Sequence, residues 1–339
     1  MEHVQDDVRA GAPSRHLVIA SLLYLGVASA LMIWRGISVS PDYLLLLLIP
    51  VAIASGRLFR FLGDWIPFIA IFLGWEAMRG VAAESDIAPH VSDLAHAETW
   101  LFGGHLPSAE LQSAMAWLGI GRAVDYLGTI VYFGHFVIPV AVGMTLWFRS
   151  RAHFLRFSTA LMGMSFAAFI IFLLVPTAPP WYAQDEGVLS GFRHVIGSTL
   201  PSAVSPYYSS LNPNPTAAFP SLHSAFPFLS FLLLRRVYPR AAYVALAWSV
   251  LVWFSVVYLG EHYVIDVAGG ITLALASAWV LEKVVVPRVP ALQDAPTRSA
   301  AARPARPTPV PLPVAASVEL VAQKSAARPA VAGVARRAR

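Results

Sequence analysis

Apolar runs about 20 residues long recur along the chain, separated by short polar or proline-rich segments. A helix needs about that length to cross hydrocarbon, where every backbone polar group must be satisfied within the helix itself. The runs fall at roughly 17–34, 42–56, 65–82, 124–148, 156–175, 221–237, 241–259 and 263–286, which predicts eight spans, with Pro50 kinking the second. Charged residues make up only 13% of the 339 residues and hydrophobic ones 57%. The expected fold is all-α, a polytopic transmembrane helical bundle. Ala28-Ser29-Ala30 resembles a signal cleavage site, but the apolar run continues to Trp34 and its lead-in is acidic, so an uncleaved first span is expected.

Basic residues set the expected orientation, because Lys and Arg accumulate in cytoplasmic loops. With the N-terminus inside, twenty of the 24 basic residues lie on the inner side, ten of them from Lys283 onward. The outer side keeps Arg35, Arg79, Arg122 and Arg193. Both termini are then cytoplasmic, and the membrane is expected to be the plasma membrane. Residues 1–64 read as a polar segment with two extra spans, 65–288 as a six-helix core, and 289–339 as a disordered, solvated Ala/Pro/Arg-rich tail. The outer loop at 83–123 carries Leu111, Met115 and Leu118 at helical spacing, as expected of a helix lying on the membrane. The outer loop at 176–219 is proline-dense, which predicts a rigid, non-helical segment.

Composition excludes several classes. With no cysteine, neither disulfides nor thiolate metal sites exist. There is no Walker-type or dinucleotide glycine loop and no basic, aromatic-interleaved patch for nucleic acid. Ten histidines keep a haem or metal protein in view, but most lie in loops or at helix ends rather than facing each other inside spans. A transporter would show inverted repeats or interrupted helices, and no repeat is evident. No cofactor or metal is expected.

Two polar islands interrupt the apolar pattern: Pro220-Ser221-Leu222-His223, and Gly260 to Asp266 with His262 between them. One apolar helix separates them, so both fall on the same, extracytoplasmic side. Ionisable residues near a bilayer are costly and mark functional sites. His262 and Asp266 are four apart, which on a helix lets the carboxylate take one imidazole nitrogen and leave the other as a nucleophile. A helix-end cap is the plainer alternative for that pair. Pro220 and Ser221 precede what should be a helix N-terminus, a natural phosphate cradle whose first-turn histidine, His223, is placed to protonate a departing alkoxide.

These residues resemble the type 2 phosphatidic acid phosphatase superfamily of membrane lipid phosphatases and phosphotransferases. Its second motif, Pro-Ser-x-His, matches Pro220 to His223; its third ends in His-x-x-x-Asp, matching His262 and Asp266, with Ser255 upstream. The resemblance covers about 65 to 286. It implies that His262 is phosphorylated, that Asp266 orients it and that His223 is the acid for the leaving group. The family's first motif, a lysine followed by Arg-Pro, is absent: no lysine precedes Lys283. Val256 stands where the family has an arginine, and Leu222 where it has a glycine. In the first motif's place, Pro176 to Tyr182 resembles the inositol phosphorylceramide synthase branch, as does Tyr258 to Tyr263.

The charge of a bound phosphate must then be met by other groups. The candidates are the backbone around Ser221 and Leu222, together with His135, Arg193 and His194. His135 is expected inside the fourth span. Trp181 and Tyr182 are candidates for substrate contact, with an interfacial aromatic belt as the plainer reading. Glu76 and Arg79 are expected to pair structurally. The resemblance implies transfer of a phospho-head group, such as inositol phosphate, from a lipid donor to an alcohol or lipid acceptor. Hydrolysis of phosphatidic acid or a polyprenyl phosphate is the alternative.

Overall fold

A computed structural model describes residues 15–34, 41–83, 87–199 and 214–293. The expected tail beyond residue 293 and residues 1–14 of the polar N-terminal segment lie outside them, as do the residues at 200–213 of the second outer loop and the Arg79 side chain; the first residues of the expected tail instead pack on the core, with Leu292 buried.

The described chain is helical throughout: α1 (Arg15–Trp34), α2 (Pro41–Ala54), α3 (Leu58–Ala83), α4 (Ser92–Leu101), α5 (Pro107–Trp117), α6 (Gly121–Phe133), α7 (Val137–Arg149), α8 (Arg151–Leu174), α9 (Pro180–Asp185), α10 (Ile196–Thr199), α11 (Leu222–Leu234), α12 (Pro239–Tyr258) and α13 (Val264–Val280). A π-helical turn, Leu281–Val285, extends α13. Proline opens α5, α9 and α12, where its missing N–H would lack a helical partner anyway. Ser150 caps α8 by accepting the His153 N–H.

Among the described residues, four stretches are long and apolar enough to cross a membrane: Leu58–Met78, Arg151–Leu174, Pro239–Tyr258 and Val264–Arg288. A fifth forms only if α6 and α7 are taken as one span bent by 41°. Each of the eight expected runs falls on a helix or, at 124–148, on a helix pair, but α11 has only 13 residues and α2 only 14.

The fourth expected span is broken rather than continuous, so His135 lies between its two helices and not within one. Gly134 closes α6, where an added Cβ would stand 3.0 Å from the Ile130 carbonyl oxygen and 3.3 Å from the Trp248 ring. Pro139, in the first turn of α7, lacks an amide to continue the ladder. His135 sits in the break.

At the centre, α11 packs against α12 and α13, with α7 and α8 on its far side and α3 against α8. Phe72, Trp75, Phe157, Phe172 and Phe226 fill this core, and the buried Trp75 indole donates to the Ser165 carbonyl. A second cluster around Trp65, Trp147 and Phe154 joins α1 and α2 to α3, α7 and α8.

The proline-dense loop is neither free nor wholly non-helical. Thr177 bridges His90 on one side and Ala217 on the other, and its hydroxyl accepts the Phe219 N–H at 2.8 Å. Pro180 then starts the short helix α9. The loop at 83–123 folds into two helices, α4 and α5, with Trp100 and Trp117 exposed on them.

Away from the polar islands, Asp64 accepts the Trp147 indole N–H at 3.0 Å and Arg151 Nε at 2.6 Å, with Arg60 at 3.9 Å. The Asp64 side chain is 4% exposed, whereas Arg151 is 56% exposed, so solvent screens much of that pair. Asp64→Ala leaves a buried indole N–H without its acceptor and is expected to destabilise the fold by about 2 kcal/mol. The check is a lower thermal midpoint in detergent with the activity of the folded fraction unchanged.

Candidate active site

The second island forms because α12 must stop and α13 must start within a few residues. Gly260 turns the chain at φ +81°, and a Cβ there would stand 2.7 Å from the Phe192 ring. The amides of Glu261 and His262 both return to the Val256 carbonyl, closing the end of α12. Helix α13 begins only at Val264, so His262 lies just before it and does not share a helical face with Asp266. The two still meet, because Asp266 in the first turn reaches back as a cap. Its Oδ2 accepts the Tyr263 N–H at 2.9 Å and faces His262 Nδ1 at 3.3 Å. Asp266 is fully buried, and its Oδ1 has no hydrogen-bond partner.

The first island is built against the second. Ser221 caps α11, accepting from the Ser224 amide, and its own N–H donates to the Asp266 carbonyl at 3.0 Å. Such proximity needs glycine on α13. A Cβ on Gly270 would fall 2.2 Å from the Ser221 carbonyl oxygen, and one on Gly269 would fall 2.4 Å from the Phe219 ring. Leu222 is buried beneath this turn, and the Trp253 indole supports it through the Ser224 carbonyl.

His223 and His262 meet here: His223 Nδ1 lies 3.1 Å from His262 Nε2. Of two nitrogens at hydrogen-bond distance, one donates and the other accepts. With His262 Nδ1 turned to Asp266, Nε2 is the nitrogen aimed at His223. His223 is itself held between rings, stacked on Tyr132 with centroids 4.6 Å apart and tilted against His135 at 4.4 Å. His135 Nδ1 donates to the Tyr132 carbonyl at 2.6 Å, so the α6–α7 break brings a third imidazole to the pair.

The other candidates flank this centre. Arg193 places its guanidinium on Asp125 at 3.2 Å, and its backbone exchanges hydrogen bonds with Gln112, tying the loop to α5 and α6. His194 Nε2 lies 2.8 Å from a buried oxygen of Glu261, the neighbour of His262 in sequence, with its ring stacked on Trp181 at 5.2 Å and 8°. The Trp181 amide donates to the Gly260 carbonyl, so the proline-dense segment packs onto the connector that carries His262. Tyr182 touches Trp181 edge-on.

Residue patterns alone gave no role to Glu98. It lies on α4, is 1% exposed, and accepts the amides of Val264 at 2.8 Å and Ile265 at 3.2 Å. Burial pushes its carboxyl above the usual range, opposed by those two amides, and the Asp266 charge adds to the rise. Two carboxylates thus occupy the amides at the start of α13, so of the two helix N-termini at the site, the first turn of α11 is the one not taken by an acid. Among the described residues, no group of three or more His, Asp or Glu is arranged to hold a metal ion.

Residues 92–280 match the model of the PAP2 superfamily. The chain is similar to the phosphoinositol dihydroceramide synthase of Bacteroides thetaiotaomicron, at 27% identity over 62% of this chain and 73% of that protein. It is 25% identical to the inositol phosphorylceramide synthase of Candida albicans, over 77% of this chain and 57% of the relative. It is 28% identical to the inositol phosphorylceramide synthase catalytic subunit AUR1 of Saccharomyces cerevisiae, over 54% and 47%. The chain thus spans only about half the length of these fungal relatives. No solved structure matches.

Proposed function

Because the chain belongs to the PAP2 superfamily, we propose that it is a membrane phosphotransferase that moves phosphoinositol from a glycerolipid donor to a ceramide-type alcohol through a phosphohistidine. The observation that carries this is the relay His223–His262–Asp266, with 3.1 Å between the two imidazole nitrogens. The names of the similar proteins supply the head group and acceptor.

In the first half-reaction the donor phosphate takes the place of the bond between the histidines. Its oxygens face the first turn of α11, whose amides and helix dipole take up negative charge. His262 Nε2 attacks phosphorus as the bond to the diacylglycerol oxygen breaks, and His223 gives that oxygen a proton. The Asp266 carboxylate holds the proton on Nδ1 and stabilises the positive charge that grows on the ring. In the second half-reaction His223 takes the proton of the acceptor hydroxyl, the new P–O bond forms, and the N–P bond breaks. With histidine as nucleophile and fixed dipoles meeting the charge, the scheme uses no metal.

The catalytic unit on this reading is the six-helix core at 65–288, and the family match lies inside it. We place the site on the extracytoplasmic side of the plasma membrane with both termini cytoplasmic. The basic residues support this, since Arg60 and Arg151 converge at the end of α7 away from His135.

The test uses purified protein in sealed vesicles, given phosphatidylinositol labelled in its head group in the outward leaflet, with and without ceramide. Labelled phosphorylceramide is expected only when ceramide is present, and EDTA leaves its rate unchanged. Free inositol phosphate in equal yield without acceptor would make the protein a hydrolase. Loss of turnover in EDTA with recovery on zinc would overturn the phosphohistidine scheme.

A further inference from the structure

We infer that Glu98 is a positioning residue for the nucleophile, acting as a helix cap supplied from a different helix. The inference rests on the reading of His262 as the attacking group. Helix α13 begins after Tyr263, whose side chain does not cap it the way Ser, Thr, Asp or Asn would. The amides of Val264 and Ile265 are satisfied instead by the two oxygens of Glu98 on α4.

Helix α4 grips the same turn a second time. The fully buried Tyr263 ring packs with Ala95 of α4 and with Leu106 and Phe192. Ala95 and Glu98 are the buried residues of α4, while Trp100 and Leu101, just beyond, are exposed. The buried surface of this short helix is thus the part that holds the start of α13.

The consequence for His262 comes from the weakness of its own side-chain tether. The bond to Asp266 is long, at 3.3 Å, and Asp266 has a second demand in the Tyr263 amide at 2.9 Å. The aim of the imidazole toward His223 therefore depends on the backbone at 263–265, and that backbone is fixed from α4. A carboxylate 1% exposed is a costly way to build a merely structural contact. Accepting two adjacent amides with one group is what its geometry achieves.

The test compares wild type, Glu98→Gln and Glu98→Ala by two readouts. One is the kcat and KM of phospho-head-group transfer. The other is the rate at which diethyl pyrocarbonate modifies His262, read by mass spectrometry and independent of any lipid. A nucleophile misplaced by about 1 Å loses on the order of 100-fold in rate. Glu98→Ala is expected to lose about that in kcat with KM within about threefold, and to raise the modification rate of His262 at least threefold. Glu98→Gln keeps one acceptor oxygen and is expected to recover roughly tenfold of the loss. Trp100→Ala, two residues along and exposed, leaves both readouts at wild-type values.

A folded Glu98→Ala protein with kcat and His262 modification within twofold of wild type overturns the inference. If that variant fails to fold, Glu98→Gln decides by the same two readouts. Should wild type transfer no head group while His262 modification still responds to Glu98, the functional reading fails and the positioning role stands. Transfer that proceeds regardless of Glu98 removes the positioning role and leaves the functional reading intact.

Discussion

His262→Ala is expected to abolish head-group transfer, with a loss on the order of 10⁴-fold or more in kcat and no labelled protein intermediate. Two independent geometric facts support so large an effect. His262 Nε2 is the nitrogen facing the partner imidazole at 3.1 Å, and His262 Nδ1 is committed to a fully buried carboxylate. His223→Ala is expected to cost less, about 10²–10⁴-fold, because it removes proton transfer rather than the covalent step. The difference is checked by quenching both variants after a short exposure to labelled donor. His223→Ala should accumulate label on histidine from a donor with a good leaving group, such as a nitrophenyl ester, which needs no acid. His262→Ala should not. Label retained on His262→Ala protein would remove His262 from the role of nucleophile.

Gly270→Ala is the second substitution with a large expected effect, although it touches neither histidine. The added Cβ would lie 2.2 Å from the Ser221 carbonyl oxygen, and that obstacle is backbone, which has no rotamer to escape into. Either α13 or the first turn of α11 must move. Overpacking of this kind costs about 1–3 kcal/mol in stability, while a displacement of about 1 Å between the two imidazoles costs roughly 100-fold in kcat. The mutant should therefore lose far more activity than stability. Gly269→Ala meets a ring instead, that of Phe219 at 2.4 Å, and should be milder because a side chain can turn aside. Gly163→Ala has nothing within 4 Å and serves as the control, with full activity and a slightly more stable helix. Equal activity in Gly270→Ala and Gly163→Ala would show that the approach of α11 to α13 does not set the site.

Much of this was legible from residue pattern. The runs that became α3, α8, α12 and α13 stood out because burial in lipid leaves helix as the only solution for 20 apolar residues. The two islands stood out because histidine and aspartate are rare beside such runs. What was not legible depended on contacts between distant segments. Nothing in the local pattern at Glu98 marks it, since a glutamate on a short amphipathic helix usually faces water; its role appears only when α4 lies across the start of α13. The break at Gly134 to Phe136 was hidden for the opposite reason: hydropathy averages over it, and the crowding that keeps Gly134 a glycine comes from Trp248, far along the chain. For His262 and Asp266 the shared-face reading led to the right pair by the wrong geometry, and the plainer alternative of a helix-end cap is the form the contact takes. The two are joined by a reaching cap rather than by one helical face, and a cap needs the helix start to be known.

On the proposed mechanism, the brevity of α11 bears on which nucleophile enters the second half-reaction. Thirteen residues at 1.5 Å each extend about 20 Å, against about 30 Å of hydrocarbon. If Arg235 and Arg236 lie among head groups, His223 starts α11 short of the opposite surface, and the connector after the longer α12 folds back to bring His262 to it. Below that surface water would be dilute, whereas a hydroxyl carried by a lipid acceptor would arrive as part of its host molecule's ordinary place in the bilayer. A shallow site would favour hydrolysis by concentration alone. A sunken one tilts the competition toward alcoholysis before any residue has to discriminate between the two.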